Sequence, residues 1–152
     1  LPEPGYRLER TEQQYLGDTG RMLDLPPGAT LYPPELVYPT RVLRPDGSAW
    51  RPSRDADVLV LGDSFSNVFA NAARDPDRAA GFVEHLSFSI KRPIDRIMQE
   101  GDGSFATREI LHREPERLLG KRLVIYQFAT RELSEGDWKV ISFPPSKTKA
   151  RR

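Results

Sequence analysis

The stretch Asp57-Val58-Leu59-Val60-Leu61-Gly62-Asp63-Ser64-Phe65 decides the fold. Residues 58–61 form a continuous apolar run that stops at Gly62, which is typical of a strand buried on both faces. Glycine lets the chain turn sharply where such a strand ends. Open α/β sheets place their functional sites at the carboxyl edge of the strands. The stretch therefore predicts a buried strand that presents Ser64 at the functional edge of a sheet.

The sequence after this strand alternates between helical and strand patterns. Apolar residues at helical spacing predict helices, and short apolar runs predict strands. We expect helices over 64–73, 79–90 and 105–112, a short strand over 93–98, and a second buried strand over 123–128. This alternation predicts an α/β domain with a mostly parallel sheet between layers of helices.

The first third of the chain has a different character. Nine of the fourteen prolines lie within residues 1–56, and proline disfavours long helices. We expect a helical turn around 12–22, extended chain over 32–43 and a turn at 44–47. The predicted organisation is a Pro-rich, mostly extended segment over 1–56 packed on the domain, an α/β core over 57–140, and a solvated basic tail over 141–152.

Composition excludes several classes of function. Lys and Arg number 23 against 22 Asp and Glu, so no strong positive field marks a nucleic-acid partner. The chain has no cysteine, which excludes disulfides, thiolate catalysis and cysteine-ligated metal sites. No apolar stretch approaches the roughly 18 residues that a transmembrane helix needs.

The Gly62-Asp63-Ser64 turn carries the chemistry. A serine at the start of a helix lies where free N–H groups and the positive helix end stabilise a developing oxyanion. Serine is also a common helix N-cap, so a purely structural role is the competing interpretation. Asp63 is expected to bond local backbone N–H groups. The apolar strand directly before the turn favours Ser64 as a nucleophile.

Residues 57–65 resemble the first conserved block of the SGNH hydrolase superfamily. Three stretches are similar to the SGNH-like O-acetyltransferases of the alginate O-acetyltransferase family, which modify bacterial exopolysaccharides. They are Gly62 to Phe65, Gly101 to Glu109, and the strand 124–128 followed by Ala129 to Leu133; the segment 16–23 is similar as well. The resemblance spans roughly residues 15–138 and implies a three-layer, flavodoxin-like α/β/α fold.

The resemblance also implies a mechanism. Ser64 would carry an acetyl group and pass it to a sugar hydroxyl, within a motif formed by Gly62, Asp63 and Phe65. The oxyanion donors would be the Ser64 N–H and an N–H from the loop containing Gly101 and Gly103. It further implies two partners, a polysaccharide acceptor and an acetyl donor, and the donor could be a membrane acetyl-transfer protein. It implies no cofactor or metal, and a periplasmic location.

The sequence departs from the family pattern in its catalytic base. SGNH enzymes need a histidine supported by an aspartate, and the acetyltransferases carry this pair in an Asp-x-His element upstream of the serine. No histidine precedes Ser64, and the two present, His85 and His112, are expected to be ordinary helix residues. We therefore expect the chain to begin after that element, as a catalytic half. The two isolated histidines also argue against a metal site.

Several other residues are candidates for substrate binding. Arg131, after the second buried strand, could hold an anionic sugar such as a uronate, or could form an ion pair with Glu132 instead. For Arg108 and Glu109, inside a helix, a structural role is favoured. A sugar-stacking surface would draw on aromatic residues that more often serve packing, namely Trp50, Trp138, Tyr126, Tyr32 and Tyr38.

Two alternatives to acetyl transfer stay open. A plain SGNH esterase or deacetylase would use water in place of the sugar as acceptor. A non-catalytic carbohydrate-binding or scaffold domain would keep the fold without the base.

Overall fold

The structure is a computed structural model that describes residues 4–29, 31–70, 78–102 and 105–143. The strands in this part are β1 (Arg7–Arg10), β2 (Gln13–Tyr15), β3 (Glu35–Val37), β4 (Thr40–Leu43), β5 (Val58–Gly62), β6 (Asp95–Met98) and β7 (Leu123–Tyr126). The helices are α1 (Asp18–Met22), α2 (Phe82–Ile90), α3 (Ala106–Arg113) and α4 (Glu132–Glu135), with single 3-10 turns at Ser64–Asn67 and Pro115–Leu118.

The central sheet has three parallel strands in the order β6-β5-β7. Gly62 lies beside Met98 in β6, and Leu61 lies beside Tyr126 in β7. Because the strands are parallel, all three end at the same edge, where the Ser64 turn follows β5. The α/β fold with a parallel sheet flanked by helices, expected from the sequence, is confirmed.

Helices α2 and α3 cover opposite faces of the sheet. Alternate residues of β5 point to opposite sides, as in any strand. Val58 and Val60 pack with Val83 of α2, in a core that also holds Val42, Ala49, Trp50, Ala79 and Ile94. Leu59 and Leu61 pack with Leu111 of α3 and with Ile97. All five residues of β5 are buried, as the apolar run predicts.

Strand β7 differs from its sequence expectation. The predicted strand 123–128, buried on both faces, is a strand over Leu123–Tyr126 in which Leu123 is 50% exposed and Val124 is 42% exposed. The physical reason is position, since β7 pairs with β5 on one side and is an edge strand within the described residues. Its apolar side chains therefore have neighbours on one side.

The first third of the chain forms an antiparallel ribbon. β1 pairs with β4, and β2 pairs with β3, so residues 7–15 run back against residues 35–43. The predicted helical turn over 12–22 is corrected to a strand at Gln13–Tyr15 followed by the short helix Asp18–Met22. The predicted extended chain over 32–43 contains β3 and β4, and the predicted turn at 44–47 closes with Gly47 N–H donating to the Arg44 carbonyl at 2.9 Å.

The predicted helix over 64–73 is also corrected. Within its described part the chain makes one 3-10 turn at Ser64–Asn67, and Phe69 then adopts a left-handed backbone with φ of 62°. A bulky residue in that conformation cannot continue a right-handed helix. Residues 71–73 of the prediction lie outside the described residues.

Candidate functional site at the carboxyl edge of the sheet

Ser64 is the first residue after the turn that ends the central strand. It is exposed, and it begins the 3-10 turn Ser64–Asn67. Within the described residues its hydroxyl makes no hydrogen bond. Phe65, the next residue, is also exposed, whereas Ser66 of the same turn is buried. The structure thus directs one hydroxyl toward solvent at the edge where the three strands end.

Asp63 fixes the turn through both carboxylate oxygens. Its Oδ1 accepts from the Phe65 N–H at 2.9 Å and from Gln127 Nε2 at 3.0 Å. Its Oδ2 accepts from the Ala129 N–H at 2.7 Å. The expectation that this carboxylate bonds local backbone is therefore met by Phe65, and the bonds to residues 127 and 129 additionally tie the turn to the end of β7.

Gln127 is a site residue that the sequence reasoning did not identify. Its Oε1 accepts from the Asp63 N–H at 3.3 Å and from the Ser66 hydroxyl, while its amide nitrogen donates to Asp63. One side chain thus bridges two residues of the turn that precede and follow Ser64. The only sequence signal was its position, directly after β7 and therefore at the carboxyl edge.

Gly62 is required by close packing and not by an unusual backbone. It lies within β5, and a Cβ atom added there would come within 2.7 Å of both Met98 Sδ and Ser66 Oγ. Gly62 is not among the residues with positive φ. The expectation that Gly62 allows a sharp turn is therefore corrected. Gly62 instead allows β5 to pack closely against Met98 of β6 and against Ser66 of the following turn.

Neither histidine lies at the Ser64 turn. The Nε2 of His85, on α2, lies 2.8 Å from the Thr40 carbonyl and so ties α2 to the ribbon. His112 is exposed near the end of α3, with its ring 6.3 Å from that of Phe143. Helix α3 starts at the carboxyl edge and runs back along the sheet, so His112 lies at the opposite end. Both placements agree with ordinary helix residues.

The loop predicted to supply the second oxyanion donor lies partly within the described residues. Gly101 is exposed in the loop after β6 and has a positive φ of 82°, a conformation that favours glycine. Asp102, beside it, accepts from Gln99 Nε2 at 3.2 Å. Gly103 lies outside the described residues. The oxyanion role of Gly101, Gly103 and the Ser64 N–H stays a prediction.

Arg131 lies next to the serine turn. Its guanidinium carbon is 5.6 Å from the centre of the Phe65 ring, and its side chain is 62% exposed. The alternative ion pair with Glu132 has a long Nε–Oε1 distance of 3.9 Å. The structure therefore brings a positive charge to the residue that follows Ser64, and the substrate-binding role of Arg131 stays a prediction.

The aromatic candidates separate into three places. Trp50 is buried and donates from Nε1 to Ser87 Oγ at 2.9 Å, so it serves packing. Tyr32 and Tyr38 are exposed in the ribbon part of the chain. Tyr126 and Trp138 come together with their ring centres 6.4 Å apart.

Phe128, which the sequence reasoning did not single out, joins this pair. Its ring centre lies 5.2 Å from that of Tyr126 and 5.1 Å from that of Trp138. Together, Tyr126, Phe128 and Trp138 form an aromatic cluster. It lies at the end of β7, on the same edge as Ser64.

Two further observations concern ions and membranes. Across the described ranges, no group of three or more His, Asp and Glu side chains is arranged to hold a metal ion. None of the helices in the described part of the chain combines the length and the apolar character that crossing a membrane requires.

Comparison with known proteins gives a structural relative and no sequence relative. No protein family matches the sequence, and no curated protein does. Among solved structures, the chain is similar to the O-acetyltransferase domain of Pseudomonas putida AlgJ, with a TM-score of 0.61 and 18% identity. This likeness shows the fold. The match covers 90% of this chain but 44% of the other, so the chain spans less than half the length of that relative.

Proposed function

We propose that this chain carries the nucleophile of a serine-dependent O-acetyltransferase, with Ser64 as the acetyl carrier and a bacterial envelope polysaccharide or exopolysaccharide as acceptor. The observation that carries the proposal is the exposed Ser64 hydroxyl at the carboxyl end of the buried central strand, in a turn fixed by Asp63 and Gln127. The fold shared with an O-acetyltransferase domain supports it. A periplasmic site of action and an acetyl donor delivered by a membrane protein are parts of the same proposal.

The proposed reaction has two steps. The Ser64 oxygen attacks the carbonyl carbon of the acetyl donor, the donor's bond to that carbon breaks, and the serine proton passes through a base to the leaving group. An acceptor sugar hydroxyl then attacks the acetyl-Ser64 ester, its proton passes to the base, and Ser64 regains a proton as the ester bond breaks. Backbone N–H groups at the turn and in the Gly101 loop would stabilise the oxyanion in both steps.

The proposal needs a general base from outside the described residues. His85 is held by the Thr40 carbonyl on α2, and His112 lies at the far end of α3. Asp63 is already bound by three donors, so its carboxylate is committed to the turn. We assign the base to another polypeptide segment that approaches Ser64 from the solvent side.

The test is acetylation of Ser64 followed by intact-mass spectrometry and peptide mapping. The chain is incubated with p-nitrophenyl acetate, with and without imidazole as a diffusible substitute for the missing base. We expect one acetyl group on the peptide containing Ser64, formed faster with imidazole and lost in Ser64→Ala. Ser142→Ala, which removes another exposed serine, should leave the adduct unchanged. Labelling at other residues but not at Ser64 would refute the proposal.

A carbohydrate-binding module without catalysis is the second candidate. The observation that favours it is the placement of both histidines away from the serine turn. It predicts that the chain binds a polysaccharide while Ser64 stays unlabelled even with imidazole. The esterase alternative is distinguished by acceptor competition, because water and not the sugar would then release the acetyl group.

A further inference from the structure

The turn that carries Ser64 holds a second serine, which lies on its buried side. Ser66 is 1% exposed, whereas Ser64, two residues earlier, is exposed. A 3-10 turn has three residues per turn, so positions two apart lie about 240° around its axis from each other. The two hydroxyls therefore leave the turn in different directions, and a contact that holds Ser66 in place also sets the direction of Ser64.

The Ser66 hydroxyl is enclosed by the ends of two strands. It donates to Oε1 of Gln127, the residue that directly follows β7. On the side of β5, a Cβ atom added to Gly62 would come within 2.7 Å of Ser66 Oγ, so the missing side chain of this glycine makes room for the hydroxyl. The Ser66 N–H also donates to the Asp63 carbonyl at 3.1 Å. Both the backbone and the side chain of Ser66 are thus held.

Gln127 is a rigid support for this hydroxyl. Its backbone N–H donates to the Leu61 carbonyl at 2.8 Å, which continues the pairing of β7 with β5 by one residue. Its Oε1 accepts from the Asp63 N–H at 3.3 Å as well as from Ser66, and its Nε2 donates to Asp63 Oδ1 at 3.0 Å. Turning the amide over would set its NH₂ against the Asp63 N–H and its oxygen against the carboxylate. The side chain therefore has one favourable orientation.

A polar pair at this place adds direction more than it adds stability. Burying a hydroxyl and an amide costs free energy that their hydrogen bond only offsets. Apolar groups of the same shape in both places can be nearly neutral for stability, or better. A hydrogen bond differs from an apolar contact because its strength depends on angle. The Ser66–Gln127 pair therefore gives the turn a defined rotation about its axis.

We propose that Ser66 and Gln127 are positioning residues for Ser64, because their hydrogen bond fixes the rotation of the turn and thereby the direction in which the Ser64 hydroxyl meets an acyl donor. The inference rests on the proposed function, which makes Ser64 the nucleophile. In this role neither residue touches the reacting atoms. Asp63 fixes the start of the turn, and the Ser66–Gln127 pair fixes its body.

The test compares Ser66→Ala, Gln127→Met and the double variant by NMR relaxation of the backbone amides. In the unmodified chain we expect the Ser64 N–H to have an order parameter of about 0.85, which is typical of rigid backbone. In each variant this order parameter should fall toward about 0.6, because the turn is then free to rotate. Acetylation of Ser64 by p-nitrophenyl acetate with imidazole should slow by about tenfold to a hundredfold in the same variants.

The double variant separates positioning from stability. In Gln127→Met the buried Ser66 hydroxyl has lost its acceptor, so removing that hydroxyl as well should raise the melting temperature above that of Gln127→Met. The order parameter and the acetylation rate of Ser64 should stay low, since no hydrogen bond is restored. A pair that acted on stability alone would give the opposite result, with the rate recovering in the double variant.

Ser87→Ala is the matched control for the loss of a buried serine. Ser87 is fully buried on α2, where it accepts from Trp50 Nε1 at 2.9 Å and donates to the Arg92 carbonyl. Its removal should lower the melting temperature but leave the order parameter and the acetylation rate of Ser64 unchanged. Gln14→Met, at an exposed position of β2, controls for the exchange of glutamine for methionine.

The remaining outcomes distinguish this inference from the proposed function. A Ser64 amide that is already flexible in the unmodified chain, or that stays rigid in both single variants, would overturn the positioning role. An equal loss of order and rate in Ser87→Ala would also overturn it, because general destabilisation would then explain both. Loss of order in the variants, with no acetylation of Ser64 in any protein, would support positioning and count against acetyl transfer. Equally fast acetylation in the unmodified chain and the variants would support transfer and refute positioning.

Discussion

The Asp63 carboxylate and the backbone N–H of Ala129 are joined by a hydrogen bond of 2.7 Å, which ties the turn after β5 to the chain leaving β7. The other carboxylate oxygen of Asp63 holds Phe65 and Gln127 at the same time. The position of Ser64 is therefore set by two strands and not by the local turn alone.

Asp63→Asn should destabilise the chain by about 1–3 kcal/mol, because one amide oxygen and one NH₂ replace two acceptors. With the oxygen facing Phe65 and Gln127, the new NH₂ would face the donor N–H of Ala129. Urea unfolding at neutral pH measures the loss. Asp55→Asn, at an exposed position, should change the free energy of unfolding little. Equal stability of the two variants would contradict the role of Asp63.

Gly62→Ala should cost about 1–3 kcal/mol through overpacking at the edge of the sheet. The new methyl group would meet Met98 Sδ and Ser66 Oγ, each at 2.7 Å. Gly17→Ala is the matched control, since the nearest atom there, Tyr15 Cε1, is 4.0 Å away. Thermal unfolding of both variants compares them.

A double-mutant cycle identifies the neighbour that is responsible. In a Met98→Ala background the penalty of Gly62→Ala should become smaller, because the sulfur and the methyl group of Met98 are removed. An unchanged penalty would assign the clash to Ser66 instead.

Glu84→Gln should change how stability depends on pH. Glu84 is 1% exposed and burial raises its pKa, although the Arg96 guanidinium at 2.6 Å opposes that shift. A raised pKa in the folded state means that folding favours the protonated carboxyl. The stabilisation is therefore complete below the unfolded-state pKa of about 4.3 and declines as pH rises through the folded-state pKa.

The measurement is the free energy of unfolding of both proteins from mildly acidic to neutral pH. Relative to Glu84→Gln, the unmodified chain should lose stability as pH rises across this window. Glu135→Gln, at an exposed position, should follow the unmodified chain at every pH. Parallel curves for the unmodified chain and Glu84→Gln would show that this carboxyl does not contribute.

Asp95→Asn should be the most damaging of these substitutions. Asp95 is 1% exposed at the start of β6, where it pairs with Arg117 and, at 3.3 Å, with the ammonium of Lys121. Removing the carboxylate leaves two largely buried cations without a negative partner. The free energy of unfolding should therefore fall by about 3–5 kcal/mol.

Urea unfolding compares this variant with Asp137→Asn, which breaks an exposed pair with Lys139 at 3.6 Å. The exposed pair should contribute at most about 1 kcal/mol. Similar losses in the two variants would contradict a large contribution from the buried ion pairs of Asp95.

The sequence predicts the part of the fold that short-range patterns encode. The apolar run of β5 and the helical spacing in α2 identify elements whose burial follows from their own residues. β7 carries an equally apolar run, yet Leu123 and Val124 are half exposed, because a pattern does not show which neighbours cover a strand. The pairing of β1 with β4 is missed for a similar reason, since about thirty residues separate the paired positions.

The residues of the candidate site also fall into those that the local sequence predicts and those that it does not. Ser64 and Asp63 follow a strand directly, so their place at the edge can be predicted from the chain alone. The role of Gln127 depends on which side chains meet across the fold.

The antiparallel ribbon also indicates where the chain can vary in length. Tyr15 of β2 lies beside Glu35 of β3, so the stretch between them leaves and rejoins the ribbon at one place. Lengthening this loop lowers the stability of the fold only slightly, because the entropic cost of closing a loop grows slowly with its length. Tyr15 is different, since its ring lies 5.1 Å from that of Phe69 just beyond the serine turn. Insertions and deletions should therefore accumulate between residues 24 and 34 over evolution, while the Tyr15 contact limits how far they spread toward the turn.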